Sequence, residues 1–126
     1  MKPQKLKTGR EYRDTIRILY KEEKYYEGYL KALEFKSAIQ NNDIEYTNND
    51  VWACILALSI GSKRLNKFHM ATYYAKLSLK YASNTYEFFK SKTMLAICYK
   101  YINKVNEAIE IYDNCIDMCD RCFNSL

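Results

Sequence analysis

Three cysteines near the end of the sequence have a spacing that could bind a metal cluster. Cys115, Cys119 and Cys122 form the pattern C-x3-C-x2-C, and three thiolates so spaced on a loop can hold three corners of an iron–sulfur cluster. The same spacing places all three side chains on one face of an α-helix, where cysteine packs as a small apolar residue. We favour helix packing; a metal site or a regulatory thiol is the alternative, and Cys122 would then be the most reactive.

The other residue types that could carry chemistry give little support for catalysis. His69 is the only histidine, and no acidic residue or cysteine stands at a helical offset that would complete an acid–base pair or a ligand set with it. The sequence has no P-loop, no dinucleotide-binding glycine pattern and no nucleophile elbow. We therefore predict a protein without enzymatic activity, metal or cofactor, in which His69 lies on the surface.

The composition favours an all-α protein. The 126 residues include three glycines and one proline, whereas 48% are hydrophobic, so tight turns are few and one domain spanning residues 1–126 could bury its own core. Five cysteines, an odd number, and a charged N-terminal stretch argue against a secreted disulfide scaffold. No apolar run is long enough to span a bilayer. We expect a cytoplasmic protein with reduced thiols.

Apolar residues recur at helical spacing in six segments that are separated by polar breaks. Thr8 and Glu11 have the spacing of a capping box, which predicts the start of the first helix. Short breaks make consecutive helices antiparallel neighbours. The prediction is a basic tail at 1–8 followed by three helical hairpins at about 9–40, 50–82 and 85–122.

Small residues recur at equivalent positions of the three predicted hairpins. Ala71 and Ala108 are 37 residues apart, and Gly28 stands 43 residues before Ala71 because an Asn-rich break lengthens the first unit. A small residue at each close helix crossing, repeated at this period, is typical of helical solenoids. We therefore expect the three hairpins to stack.

The last hairpin resembles a tetratricopeptide repeat (TPR). The residues at the packing positions of that family are Leu95, Ala96, Tyr99, Asn103, Ala108, Tyr112 and Cys115. The middle hairpin keeps Ser59, Ala71 and Ser78, the first keeps Gly28 and its aromatic residues, and neither has the proline that usually closes a repeat. The resemblance implies a short right-handed TPR-like solenoid that binds proteins. The bias toward Lys, Asn, Ile and Tyr suggests a low-GC bacterium or its phage.

In a stack of helical hairpins, the first helix of each pair lines a concave groove. The stripe of each first helix that points away from its partner helix predicts a surface that is apolar in the middle and basic at its edges. Its residues are Arg10, Arg13, Arg17, Tyr20, Lys21, Leu56, Ile60, Lys63, Arg64, Lys90, Ile97, Lys100 and Tyr101. Arginine suits carboxylates and the apolar centre suits hydrophobic side chains. We predict an adaptor that binds an acidic, partly apolar peptide or protein segment and regulates that partner.

The basic stripe has two other interpretations. Its arginines could form ordinary surface ion pairs with Glu11 and Asp14, each contributing about 0 to 1 kcal/mol. Alternatively, the first helix and the lysines of the basic tail could bind nucleic acid, with an affinity that falls steeply with salt. No recognition helix is legible in the sequence, so a nucleic-acid partner ranks below a protein partner.

A third hypothesis is self-association as a structural protein. The ends of a hairpin array expose apolar faces where no polar cap covers them, and Phe123 and Leu126 could seal such a face or dock on a second copy. The formal net charge is +5, with basic residues concentrated in the first thirty positions and acidic residues after Lys104. This asymmetry fits either an acidic partner or head-to-tail contact between copies, giving a homo-oligomer.

Overall fold

The computed structural model gives the backbone of residues 6–124 and the side chains of residues 6–118. The helices are α1 (Gly9–Lys21), α2 (Tyr25–Gln40), α3 (Asn48–Arg64), α4 (Phe68–Tyr81), α5 (Thr85–Tyr101) and α6 (Val105–Asn124). Among these residues there is no strand, and a single isolated bridge pairs Thr8 with Glu45. None of the described helices is both long and apolar enough to cross a bilayer. The predicted all-α class with six helices is confirmed.

Each first helix of a hairpin starts with the same local signal, a polar N-cap residue followed three positions later by an acid. The N-cap oxygen accepts a hydrogen bond from the backbone N–H of the acid, which satisfies a donor that has no partner within the helix. The three pairs are Thr8–Glu11 (3.2 Å), Thr47–Asp50 (3.2 Å) and Asn84–Glu87 (2.8 Å).

The complete capping box belongs to α3 and not to α1. Asp50 accepts a reciprocal bond from the backbone N–H of Thr47 at 2.9 Å. Glu11, for which the sequence predicted that bond, accepts instead from the backbone N–H of Lys7 at 3.3 Å. The predicted start of the first helix after Thr8 is nevertheless confirmed, and α3 starts slightly earlier than expected because Thr47 is its cap.

The three hairpins turn through one backbone conformation. Glu23, Asn66 and Asn103 have φ values of 62°, 64° and 64°, in the left-handed region. In each turn the next residue is a lysine, whose backbone N–H donates to a carbonyl five residues back at 2.8 Å. This hydrogen bond, together with the left-handed residue before it, is the Schellman motif that commonly ends a helix. The turns are 43 and 37 residues apart, which are the offsets of the predicted repeat.

The small residues of the repeat occupy equivalent places in the second helices. Gly28, Ala71 and Ala108 are all buried, and each donates its backbone N–H to the carbonyl of the lysine in the preceding turn. A Cβ atom at Gly28 would overlap the ring of Tyr20 on α1. The two helices of the first hairpin therefore cross too closely for a larger side chain, as the pattern predicted.

The helices pack as consecutive pairs around two apolar clusters. The first cluster joins α1, α2 and α3 and includes Tyr12, Phe35 and Leu58; the second joins α3 to α6 and includes Trp52 and Ala96. The Tyr29 hydroxyl of α2 reaches α4 through its side chain and donates to the Met70 sulfur at 3.3 Å. The backbones of the first helices approach one another, α1 with α3 and α3 with α5, whereas those of the described parts of α2, α4 and α6 do not. The first helices therefore form the inner side of the stack.

Candidate functional site

The first helices enclose an open groove of about 710 Å³. Arg10, Arg17 and Tyr20 of α1 line one side, and Leu56 and Ile60 of α3 form part of its floor. A second hollow of about 720 Å³ continues along α5 and shares both floor residues. The two hollows together make one groove (the inner groove) that crosses all three hairpins.

Eight of the thirteen predicted surface residues line the inner groove. They are Arg10, Arg13, Arg17, Tyr20, Leu56, Ile60, Lys90 and Ile97. The other five all stand at the C-terminal ends of the first helices and line neither hollow; they are Lys21, Lys63, Arg64, Lys100 and Tyr101. The groove thus follows the N-terminal and central turns of α1, α3 and α5.

Three of the excluded residues make contacts on the turn side of the stack. The Arg64 guanidinium lies 5.1 Å from the ring centre of Tyr25 on α2. The Lys63 ammonium lies 5.8 Å from the ring centre of Tyr101, and that ring stacks on Phe68 at 4.6 Å. Such cation–π and stacking contacts tie the helix ends to neighbouring elements. The predicted stripe alone does not tell toward which neighbouring element these side chains point.

Arg13 belongs to a polar network that joins α1, α3 and α5. Its guanidinium donates to Asp50 at 3.3 Å and to the side-chain oxygen of Asn49. The Asn49 amide donates in turn to Glu87, which also accepts from the backbone N–H (2.9 Å) and the hydroxyl (3.0 Å) of Ser83. The predicted basic stripe therefore has one cation that is already paired, because Asp50 and Asn49 of α3 hold the Arg13 side chain.

Glu87 has no exposed surface. Burial raises the pKa of its carboxyl, but hydrogen bonds from Ser83 and Asn49 lower it by more, so the pKa lies below its ordinary value. The charged carboxylate is therefore stable inside the protein at neutral pH. Sequence reasoning missed this residue, although the N-cap pattern at Asn84 was a signal that could have placed it at a helix start.

Two arginines on α1 remain available to a ligand. Arg10 is exposed and forms no ion pair or hydrogen bond with any residue that the structure describes. Arg17 forms an exposed pair with Asp14 at 3.3 Å, and such a pair contributes about 0 to 1 kcal/mol. Lys90 on α5 lies opposite, its ammonium 5.6 Å from the ring centre of Tyr86. These three cations form the basic rim of the inner groove.

The apolar part of the groove is larger than the sequence predicted. Trp52, Tyr86 and Phe89 line it in addition to the expected residues, and the Trp52 indole N–H donates to the buried Ser91 hydroxyl at 2.9 Å. Tyr86 is 65% exposed, so its ring is accessible to a ligand. Tyr86 stands four positions before Lys90, so extending the predicted α5 stripe by one turn would have found it.

The cysteine motif lies on α6. Cys115 is buried in the apolar cluster beside Ala108, as helix packing predicts, and the side chains of Cys119 and Cys122 lie outside the described residues. In the described part of the chain no group of His, Cys, Asp and Glu could hold a metal ion. His69 is exposed, as predicted.

No protein-family model and no curated protein sequence matches this chain. A solved structure does: the crystal structure of the TPR domain of Arabidopsis FLU superposes with a TM-score of 0.72, covering 90% of this chain and 95% of that domain at 15% sequence identity. The fold is a TPR-like all-α solenoid. At this identity the similarity shows the fold alone.

Proposed function

We propose that this chain is a non-enzymatic interaction module that binds an acidic, partly apolar segment of another protein in the inner groove and regulates that partner. The supporting observation is the division of the groove into two chemically different parts. Arg10 and Arg17 stand at the α1 side, while Leu56, Ile60 and Ile97 present apolar surface toward α5. A ligand that satisfies both parts carries carboxylates and hydrophobic side chains.

The division also sets the order of the ligand's side chains. Its carboxylates lie over α1, where an arginine guanidinium can donate two parallel hydrogen bonds to a carboxylate. Its hydrophobic side chains lie over α3 and α5, where burial contributes roughly 25 cal/mol per Å² of apolar surface removed from water. The accessible ring of Tyr86 is suited to anchor this apolar end, because aromatic residues dominate many interface hot spots.

The test is selection of ligands from a displayed peptide library, followed by affinity measurements on protein variants. Arg10→Glu/Arg17→Glu should weaken the selected acidic, apolar peptides by about tenfold or more. Lys76→Glu/Lys80→Glu on α4 changes the net charge equally and lies outside the groove, so it should leave affinity within about twofold. Equal losses in both variants would show that only net charge matters and would reject the groove.

The same proteins distinguish a nucleic-acid ligand. Binding of a single- or double-stranded oligonucleotide with a steep salt dependence, together with failure of the library to yield any groove-dependent peptide, would replace the proposal. Arg13 is left intact in these experiments because its side chain holds Asp50, and its loss would mix a folding effect with a binding effect.

A further inference from the structure

The last helix carries an apolar stripe that no described residue covers. Its members and their exposed fractions are Val105 (50%), Ile109 (51%), Tyr112 (39%) and Ile116 (57%). Their spacing of four, three and four residues is that of the seam between two packed helices. The neighbouring face of α6, with Ala108, Ile111 and Cys115, is buried against the rest of the stack. The helix thus has two apolar faces, of which one packs against the stack and the other is exposed among the described residues.

Acidic residues flank this exposed face. Between Val105 and Asp120 the sequence has five acidic residues and no basic one. At 3.6 residues per turn, Asp113 and Asp117 follow the apolar stripe round the helix on the side away from the buried face. Both are exposed. A helix that packs on the stripe would therefore lie beside a row of carboxylates.

A second copy of this chain is a poor match for the stripe. Antiparallel pairing of two α6 helices about a two-fold axis sets the acidic flank of one against the acidic flank of the other. Like charges at such a contact oppose association. Head-to-tail docking on α1 offers no matching basic flank, because exposed acids (Glu11, Asp14) and exposed bases (Arg17, Lys21) are mixed around Ile18 there.

We propose that the stripe of Val105, Ile109, Tyr112 and Ile116 docks a basic amphipathic helix of a partner protein. The apolar residues of that helix, spaced alternately by four and three positions, pack on the stripe. Its lysines or arginines pair with Asp113 and Asp117. The bound helix removes the apolar side chains of the stripe from water, which favours binding. This surface is separate from the inner groove and takes a ligand of opposite charge.

The test uses two synthetic amphipathic peptides with the same leucine seam, one flanked by lysines and the other by glutamates. Calorimetric titration in the Arg10→Glu/Arg17→Glu background, which removes binding of the acidic peptide to the inner groove, should show the lysine peptide binding at least about tenfold tighter than the glutamate peptide. Ile109→Lys/Ile116→Lys should abolish this binding without changing the circular dichroism spectrum, because both side chains are exposed. The wild type, with Arg10 and Arg17 intact in the inner groove, should bind the lysine peptide with the same affinity.

A charge exchange locates the contact. Asp113→Lys/Asp117→Lys, made in the Arg10→Glu/Arg17→Glu background, should prefer the glutamate peptide. Absence of binding, equal affinity for both peptides, or binding that survives Ile109→Lys/Ile116→Lys would overturn the proposal. A dimer in sedimentation equilibrium that Ile109→Lys/Ile116→Lys dissociates would also overturn it, since a second copy would then occupy the stripe.

Discussion

The guanidinium of Arg13 on α1 lies 3.3 Å from the carboxylate of Asp50 on α3. The Arg13 side chain is 40% exposed and that of Asp50 only 10%, so the pair joins two hairpins at the edge of the inner groove. Asn49 and Glu87 continue the contact to α5. The N-terminal ends of the three first helices are therefore joined by polar contacts, while their central turns present apolar side chains to the groove.

The Arg13 contact predicts unequal effects for two arginines on one helix. Arg13→Met should lower the free energy of unfolding by about 1–2 kcal/mol, because Asp50 keeps a nearly buried charge without its partner, and the partial exposure of Arg13 limits the loss. Arg10→Met, which removes an exposed arginine, should change it by less than about 0.5 kcal/mol. Urea unfolding of both variants measures the difference. Equal effects would mean that the ion pair contributes nothing.

Glu87 predicts a pH dependence of stability. Its folded-state pKa lies below the ordinary value of 4.5, so its contribution is fully present above that pH and is lost as the pH falls through the lower folded-state value. The free energy of unfolding of the Glu87→Gln variant should therefore depend less steeply on pH in the acid range than that of the wild type. At pH 7 the free energy of unfolding of this variant should be about 1–3 kcal/mol lower than that of the wild type, because an amide N–H₂ would face the donors of Ser83 or Asn49.

The control for Glu87 is Glu11→Gln, the same chemical change at the equivalent position of α1. Glu11 is exposed, so its replacement should lower the free energy of unfolding at pH 7 by less than Glu87→Gln does. Identical unfolding profiles for wild type and Glu87→Gln between pH 3 and pH 7 would contradict the assignment of a buried, charged Glu87.

Two serines buried on α3 should respond in opposite directions to the same substitution. The Ser62 hydroxyl has no hydrogen-bond partner among the described residues, whereas the Ser59 hydroxyl donates to the Ala71 carbonyl at 2.7 Å. Ser62→Ala removes an unsatisfied buried group and should raise stability by up to about 1 kcal/mol; Ser59→Ala should lower it by about 0.5–1.5 kcal/mol. Thermal unfolding distinguishes them, and a loss of stability in Ser62→Ala would show that its hydroxyl does have a partner.

Gly28 predicts a steric effect that depends on one neighbour. Gly28→Ala would drive its methyl group into the Tyr20 ring, whose hydroxyl donates to the Ala57 carbonyl at 2.7 Å. The expected loss is about 1–3 kcal/mol from overpacking, despite the better helix propensity of alanine. In a Tyr20→Ala background the same change should be neutral or stabilising. A double-mutant cycle by urea unfolding without this coupling would refute the close crossing of α1 and α2.

Sequence reasoning found the fold because the signals for it are local. Helical periodicity and the small residues Gly28 and Ala71 each act through neighbours within one hairpin. Sequence reasoning extended the groove too far at the C-terminal ends of the first helices, where the Arg64 side chain contacts α2 and does not line the groove. Three statements stay predictions. They are that the chain forms one domain, that it is located in the cytoplasm, and that it comes from a low-GC bacterium or its phage.

The polar network shows why the rest of the site was not predictable. Arg13 and Asp50 are 37 positions apart, and Asn49 and Glu87 are 38 apart, so no local pattern links them. Their contact depends on how the starts of three helices align across the stack. The sequence pattern placed Arg13 in the ligand-binding stripe or in ion pairs with Glu11 and Asp14 of its own helix, whereas the fold pairs it with Asp50 of α3.

Chemical-shift mapping of a selected acidic, apolar peptide on ¹⁵N-labelled protein tests the proposed groove most directly. The proposal predicts that the largest shifts fall on the inner faces of the first helices, at Arg17, Ala53, Leu56, Ile60 and Ile97. Shifts confined to the outer faces of α2 and α4, with these five amides unmoved, would contradict it.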